Sequence, residues 1–221
     1  TGKELVPICG ELTPEIVDLA INKKQPQKAV PDYTGDLPGR PPGLCKGCPH
    51  AFVFNILKKL DYTVNGDIGC YTLGALPPYG TMHSQGCMGA SIGMHLGFEK
   101  ARGDEVARNT VAVIGDSTFI HSGITGLIDL VYNRGTGTVM ILDNRVTAMT
   151  GHQENPATGF TLMGDTTHEL ELEMMVRACG VKRVVVIDPK DVDDLERVIK
   201  EEVAAKEPSV IITRRKCILK K

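Results

Sequence analysis

The chain has 221 residues, 25 Lys and Arg against 27 Asp and Glu, a formal net charge of -2, and 42% hydrophobic residues. That length suits one sizeable domain with an arm; the balanced charge gives no electrostatic case for nucleic acid or a polybasic membrane anchor, and no run of 18 apolar residues is present to span a bilayer. With no Trp, five Tyr and five Phe the core must be mostly aliphatic, which favours a parallel α/β sheet over an aromatic-rich sandwich.

The first 44 residues read as an arm or interdomain linker. Thr13 and Pro14 mark the N-cap and first position of one helix, and Pro31, Pro38, Pro41 and Pro42 then fix an extended path laid over the main domain. From Cys45 to the end we expect one domain. His50–Leu60 is a short amphipathic helix, YTVNGD a strand, Gly89–Arg102 a glycine-rich helix and Thr110–Gly115 a buried strand. SGITGLIDLVYN is a helix, Thr138–Asn144 a second buried strand, and HELELEMMVRACG a helix stopped by Gly180. KRVVVID is a strand, Val192–Lys206 a helix, and PSVIITRR the last strand. Alternating β and α units predict an α/β fold with a doubly wound, mostly parallel sheet, whose ligands sit beyond the carboxyl ends of the strands. Twelve of the 24 glycines lie between Gly66 and Gly126, so that stretch needs close backbone approach.

Strand TVAVI runs into Gly115-Asp116-Ser117, and 25 residues separate Ser117 from Asp143-Asn144 at the end of the next strand. Asp116 and Asn144 thus supply two hard oxygen donors at one sheet edge, a set suited to Mg²⁺ with room left for a diphosphate. Gly115 permits a tight turn, and amides at the following helix start can face phosphate. Taken singly, Asp116 is equally an N-cap and Asp143-Asn144 a turn pair.

Seven cysteines, an odd number, and no secretory leader point to an intracellular, cytoplasmic protein using thiols singly or as metal ligands. Cys45-Lys-Gly-Cys48 alone fits zinc, a redox disulfide or a cluster. Cys70 ends GDIGC and Cys217 follows the last strand, so three loops can deliver four thiolates to one point, for S4 zinc or a 4Fe-4S cubane. Cys9, Cys87 and Cys179 are expected to be buried small apolar residues.

GDS, 25 residues and DN resemble the thiamine diphosphate motif, usually GDG and NN, with Ser117 and Asp143 as departures that remove no metal donor. GDIGCYTLGALPP, CMGASIG, GDSTFIHSGITGL and ILDNRVTAMTGHQENP resemble the large subunit of indolepyruvate:ferredoxin oxidoreductases, from Cys45 to Cys217. The resemblance implies a thiamine diphosphate-binding fold in which Asp116, Asn144 and the Val146 carbonyl hold Mg²⁺. It implies cofactor contacts at Gly69, Cys70, Gly115, Asp116, Ser117, Thr118, Asn144, Thr150 and Gly151, with residues 147–153 looping over the diphosphate. In the wider 2-oxoacid:ferredoxin oxidoreductases, cysteines placed like Cys45, Cys48, Cys70 and Cys217 hold one 4Fe-4S cluster, which takes two electrons one at a time where zinc takes none.

His121 and His152 are candidate catalytic residues lining the substrate carboxylate or phosphate, each equally readable as a capping or packing residue. His50 is expected to start a helix and hydrogen-bond a cluster sulfur, whereas His83, His95 and His168 read as structural. The glutamate that thiamine catalysis needs would come from a pyrimidine-binding domain or subunit, for which the chain has no room. Beginning without Met and ending soon after Cys217, the chain is expected to be a fragment or one piece of a larger polypeptide. It would be inactive alone and work in an oligomer, its partner face rich in small residues such as Gly86, Gly89, Ala90, Ser91 and Gly93. The implied activity is oxidative decarboxylation of arylpyruvates such as indolepyruvate to acyl-coenzyme A, with electrons passing through the cluster to ferredoxin. The rival readings are a non-redox thiamine-dependent 2-oxo acid decarboxylase subunit and a zinc-stapled interaction domain.

Overall fold

A computed structural model describes Val6, residues 8–23, Gly39 and residues 41–220. The chain divides into two compact units, Thr1–Arg40 and Pro41–Lys221. In the first, helix α1 (Pro14–Ile21) starts as expected: Thr13 caps it, its side chain accepting from the Ile16 amide at 3.4 Å, and Pro14 occupies the first turn. Pro31 and Pro38 lie outside the described residues.

The second unit is an α/β layer structure. In chain order it comprises α2 (Pro49–Lys59), β1 (Thr63–Gly66), a 3₁₀ turn (Cys70–Ala75), β2 (Met82–Gln85), α3 (Ala90–Arg102), α4 (Asp104–Ala107) and β3 (Thr110–Gly115). There follow α5 (Asp116–Thr118), a π turn (Phe119–Gly123), α6 (Ile124–Tyr132), β4 (Thr138–Asp143), α7 (Leu172–Ala178), β5 (Arg183–Ile187), α8 (Val192–Val203) and β6 (Ser209–Arg214). The six strands form one sheet in the order β2-β1-β3-β4-β6-β5, every neighbouring pair parallel.

Parallel strands need crossovers, and these cover both faces of the sheet. Alternation along the buried strands sorts side chains between the two layers. Val111, Val113, Met140, Leu142 and Ile211 face one core with Val53, Phe54 and Leu57 of α2 and Leu195 and Ile199 of α8. Ala112, Ile114, Val139, Ile141, Val210 and Ile212 face the other with Ile92, Leu127, Leu130 and Val176 of α3, α6 and α7. Each fully buried Leu or Ile contributes roughly 1.5–3 kcal/mol. No helix among the described residues is long and apolar enough to cross a membrane.

Three differences from the sequence reading matter. The polar edge strand β2 was not anticipated. The helix expected from His168 begins at Leu172, because the Leu170 amide donates to the Pro156 carbonyl at 2.9 Å and holds that segment as loop. The helix expected from Ser122 begins at Asp116 and passes through the π turn, a widening that often marks a functional segment.

β1 and β3 adjoin although the chain leaves β1 toward β2, so the direction of winding reverses between them. A crevice opens at such a switch point, beyond the carboxyl ends of the strands.

Candidate functional site

In that crevice the segments following β1, β3 and β4 enclose a cavity of about 90 Å³. Gly69, Cys70, Gly115, Asp116, Ser117, Thr118, Asn144, Val146 and Thr150 of the expected set line it; Gly151 does not. Gly115 is required by contact, since a Cβ there would lie 2.7 Å from the Tyr71 ring. Asp116 is 2% exposed, and among the described residues its carboxylate takes one side-chain donor, the Asn155 amide at 3.3 Å. Burial, with the negative charge of Asp143 adding to it, pushes its carboxyl up to about 7. A buried acid so weakly compensated is the donor a cation would satisfy.

Asn144, also buried, accepts the Val146 amide on Oδ1 at 3.2 Å, while its Nδ2 lies 3.4 Å from His50 Nε2. Ser117 and Thr147 hydroxyls pair at 2.9 Å. The loop from Thr147 to Gln153 closes on itself through reciprocal backbone bonds of 3.0 and 3.2 Å. Two hard oxygen donors, small hydroxyl side chains and a following helical turn fit a magnesium-bound diphosphate. Ile68, Met88 and Met149, partly exposed, form an apolar rim suited to a flat ring.

Beneath the crevice, Asp67 ties the glycine-rich segments together. Its carboxylate accepts from Tyr71 Oη, from the Gly89 amide at 3.1 Å and from Ser91 Oγ at 2.9 Å. Burial raises its pKa and these donors oppose the rise. Ser91, expected on a partner face, is therefore fully buried inside the unit.

A second cavity, of about 150 Å³, is lined by Cys45, Cys48, Cys70 and Cys217, and shares His50, Cys70, Asn144 and Ala148 with the first. All four thiols are free. Cys48 caps α2 ahead of Pro49; burial pushes its thiol up to about 11, against the pull of the His50 amide. Burial also raises Cys70, with smaller contributions from Cys217 and Cys45. Among the described residues no three or more His, Cys, Asp or Glu side chains form a group that could hold a metal ion. Four soft thiol donors around one cavity suit zinc or an iron-sulfur cluster.

The histidines sort differently from expectation. His121 is exposed, paired with Ser122 Oγ at 2.8 Å, and lines neither cavity. His152, also exposed, lines the sulfur cavity. His50, expected only beside a sulfur, is 4% exposed, lines both cavities, and is pushed down to about 4 by burial, leaving its ring neutral. Thr147 belongs to the loop expected over the diphosphate, whereas Asp67, Tyr71 and Asn155 were given no role although all three stand inside the motif words. Cys9 and Cys87 are exposed and Cys179 is half-buried, which corrects the expectation of buried apolar thiols.

Residues 67–213 match the family model of the thiamine pyrophosphate enzyme C-terminal TPP binding domain. The indolepyruvate oxidoreductase subunit IorA of Pyrococcus horikoshii is 36% identical over 241 residues, covering 99% of this chain and 37% of that protein. Its counterpart in Archaeoglobus fulgidus is 40% identical over 187 residues, covering 82% and 29%. The chain thus spans between about 29% and 37% of the length of these relatives. A 2-oxoglutarate:ferredoxin oxidoreductase from Magnetococcus marinus superposes with a TM-score of 0.67 at 16% identity, over 84% of this chain and 67% of that one. A thiamine diphosphate-dependent 4-hydroxybenzoylformate decarboxylase from Rhodococcus jostii gives 0.56 at 17%, over 91% and 39%. These two likenesses establish the fold.

Proposed function

Since the chain belongs to the thiamine pyrophosphate enzyme family, as a C-terminal TPP-binding domain, we propose that it is the diphosphate- and metal-binding part of a ferredoxin-linked 2-oxoacid oxidoreductase of the indolepyruvate type. The observation that carries the redox half of this reading is the ring of Cys45, Cys48, Cys70 and Cys217 around a cavity sharing a wall with the Asp116 pocket. A non-redox decarboxylase has no use for those thiols.

In this reading residues 45–221 are the cofactor domain and residues 1–44 a linker. Asp116, Asn144 and the Val146 carbonyl hold Mg²⁺, and the four cysteines hold a 4Fe-4S cluster. Bound thiamine diphosphate supplies the carbanion-stabilising chemistry that decarboxylation of a 2-oxo acid requires. The chain's residues do the rest. Asp116 gives the metal a charged anchor. Ser117, Thr118 and Thr150, with Gly69, Gly115 and Gly151 beside them, orient the diphosphate. Ile68, Met88 and Met149 exclude water from the ring side, and Cys70, on the shared wall, brings the sulfur site within short reach of the cofactor. His152 stands where it can meet substrate at the loop; His121 reaches substrate only from the outer rim, with a second polypeptide completing the pocket.

The Magnetococcus protein's structure holds 2-oxoglutarate, coenzyme A and succinyl-CoA. By analogy an arylpyruvate, coenzyme A and ferredoxin are the co-reactants here, with a pyrimidine-binding partner in an oligomeric, cytoplasmic enzyme. The test is anaerobic purification with iron analysis, visible absorption and thiamine diphosphate titration. A brown, dithionite-bleachable protein with about four irons that binds the cofactor only with Mg²⁺ supports the reading; a colourless chain with stoichiometric zinc overturns its redox half.

A further inference from the structure

The proposed ligand set leaves unexplained a buried histidine on the wall between the two cavities. His50 enters that wall from the first turn of α2, two residues after Cys48. Its ring stands edge-on to Tyr71, centroids 6.4 Å apart at 86°, so it is held from the side. Its Nε2 lies 3.4 Å from Asn144 Nδ2. An amide nitrogen only donates, so the ring nitrogen accepts. The other end of the same amide, Oδ1, takes the Val146 N–H at 3.2 Å.

These two contacts specify the same orientation of the Asn144 side chain. A carboxamide turned through 180° puts its NH₂ where its oxygen was, and an NH₂ group is no ligand for a hard cation. The Val146 bond belongs to a local turn two residues long. The ring nitrogen adds, at the other end of the amide, a second acceptor that a reversed amide would lose.

We infer that His50 is a positioning residue: from the wall shared with the sulfur cavity it fixes which atom of Asn144 faces the metal side. The inference rests on the reading of Asp116 and Asn144 as Mg²⁺ ligands. It concerns metal affinity, a quantity that pure packing of the ring would not selectively alter.

The experiment is calorimetric titration of thiamine diphosphate into the chain at a series of Mg²⁺ concentrations, with iron content and melting temperature measured on the same preparations. His50→Phe keeps a flat ring and removes the acceptor; His50→Gln restores one. The Phe variant is expected to need about tenfold more Mg²⁺ for half-maximal binding, the scale of one lost hydrogen bond, with iron and melting unchanged. The Gln variant is expected to stay within about twofold of the parent chain. In an Asn144→Asp background, whose carboxylate has two equivalent oxygens, His50→Phe is expected to have no further effect. An unchanged Mg²⁺ requirement in the Phe variant, equal impairment in Phe and Gln, or a full Phe effect on top of Asn144→Asp overturns the inference while the parent reading stands. A parent chain that binds no thiamine diphosphate with Mg²⁺ overturns both. If His50→Phe melts early, the Gln variant and the Asn144→Asp pair decide.

Discussion

The amide of Cys217 donates to the carbonyl of Asn144 at 2.9 Å, so a thiol of the sulfur cavity and a donor of the acidic pocket hang from one backbone bond. It continues the β4–β6 ladder past the Asp143–Arg214 pair, with the Arg215 amide bonding Asp143 O at 3.0 Å. Side chains clamp the same strand ends: Arg214 Nε meets the buried Asp143 carboxylate at 2.6 Å, and its other two nitrogens take Glu173 at 2.7 Å each.

Among the described residues, replacing Arg214 by Met leaves Asp143 with Arg145 Nε at 3.2 Å as its remaining ion pair. Breaking one arm of a buried charge cluster costs roughly 3 kcal/mol. Urea denaturation of Arg214→Met is expected to show that loss, with lower iron retention because Cys217 is three residues away. Normal iron and stability together would contradict it.

Asp116 makes the metal-free chain pH-sensitive. Its carboxyl is raised from 3.8 to about 7 in the fold, chiefly by burial, so the folded chain keeps a proton that the unfolded chain releases. That stabilisation is complete below about pH 4 and is lost as pH rises through 7. Burial of His50 and His95 pulls stability the opposite way below about pH 6.5, so the comparison is with Asp116→Asn: between pH 5 and 8.5 the urea midpoint of the parent chain is expected to fall relative to that variant by the equivalent of a few kcal/mol. Mg²⁺ favours the ionised form, so it raises the midpoint more at pH 8.5 than at pH 5.

Serine in place of Cys45, Cys48, Cys70 or Cys217 removes a soft donor. Each single variant is expected to lose most of its iron and brown colour. Cys87→Ser, at an exposed thiol lining neither cavity, is expected to keep both. Metal analysis and visible spectra distinguish the two groups.

Two glycines of the same region have opposite expectations. Gly89 has φ of +89°, and a Cβ there would lie 2.7 Å from the Ser122 carbonyl oxygen, so Gly89→Ala is expected to destabilise by about 2 kcal/mol or more. Gly97, inside α3, has nothing within 4 Å of an added Cβ, and Gly97→Ala is expected to stabilise by about 0.5–1 kcal/mol. Thermal melts compare them.

The apolar runs TVAVIG and TVMILD were legible as buried parallel strands because crossover helices cover both their faces. β2, MHSQ, was not: it is a short, polar edge strand with no periodic signal. Asp116, Asn144, Cys70 and Cys217 were legible because they follow strand ends, and Cys45 and Cys48 because their CxxC spacing marks a ligand pair ahead of α2. His50 was underread because a histidine in a first helical turn carries no local sign of facing two cavities. Asn155 reaches Asp116 only through the folding of a long loop, which periodicity does not encode.

The partition of His50, Cys70, Asn144 and Ala148 obliges its two sides to influence one another equally. Whatever factor occupancy of the sulfur side imposes on cofactor affinity, the cofactor must return to the sulfur side in full. Under the proposed reading of the cysteines as cluster ligands, thermodynamic reciprocity makes the cluster's reduction potential and the cofactor's saturation curve two readings of a single coupling constant.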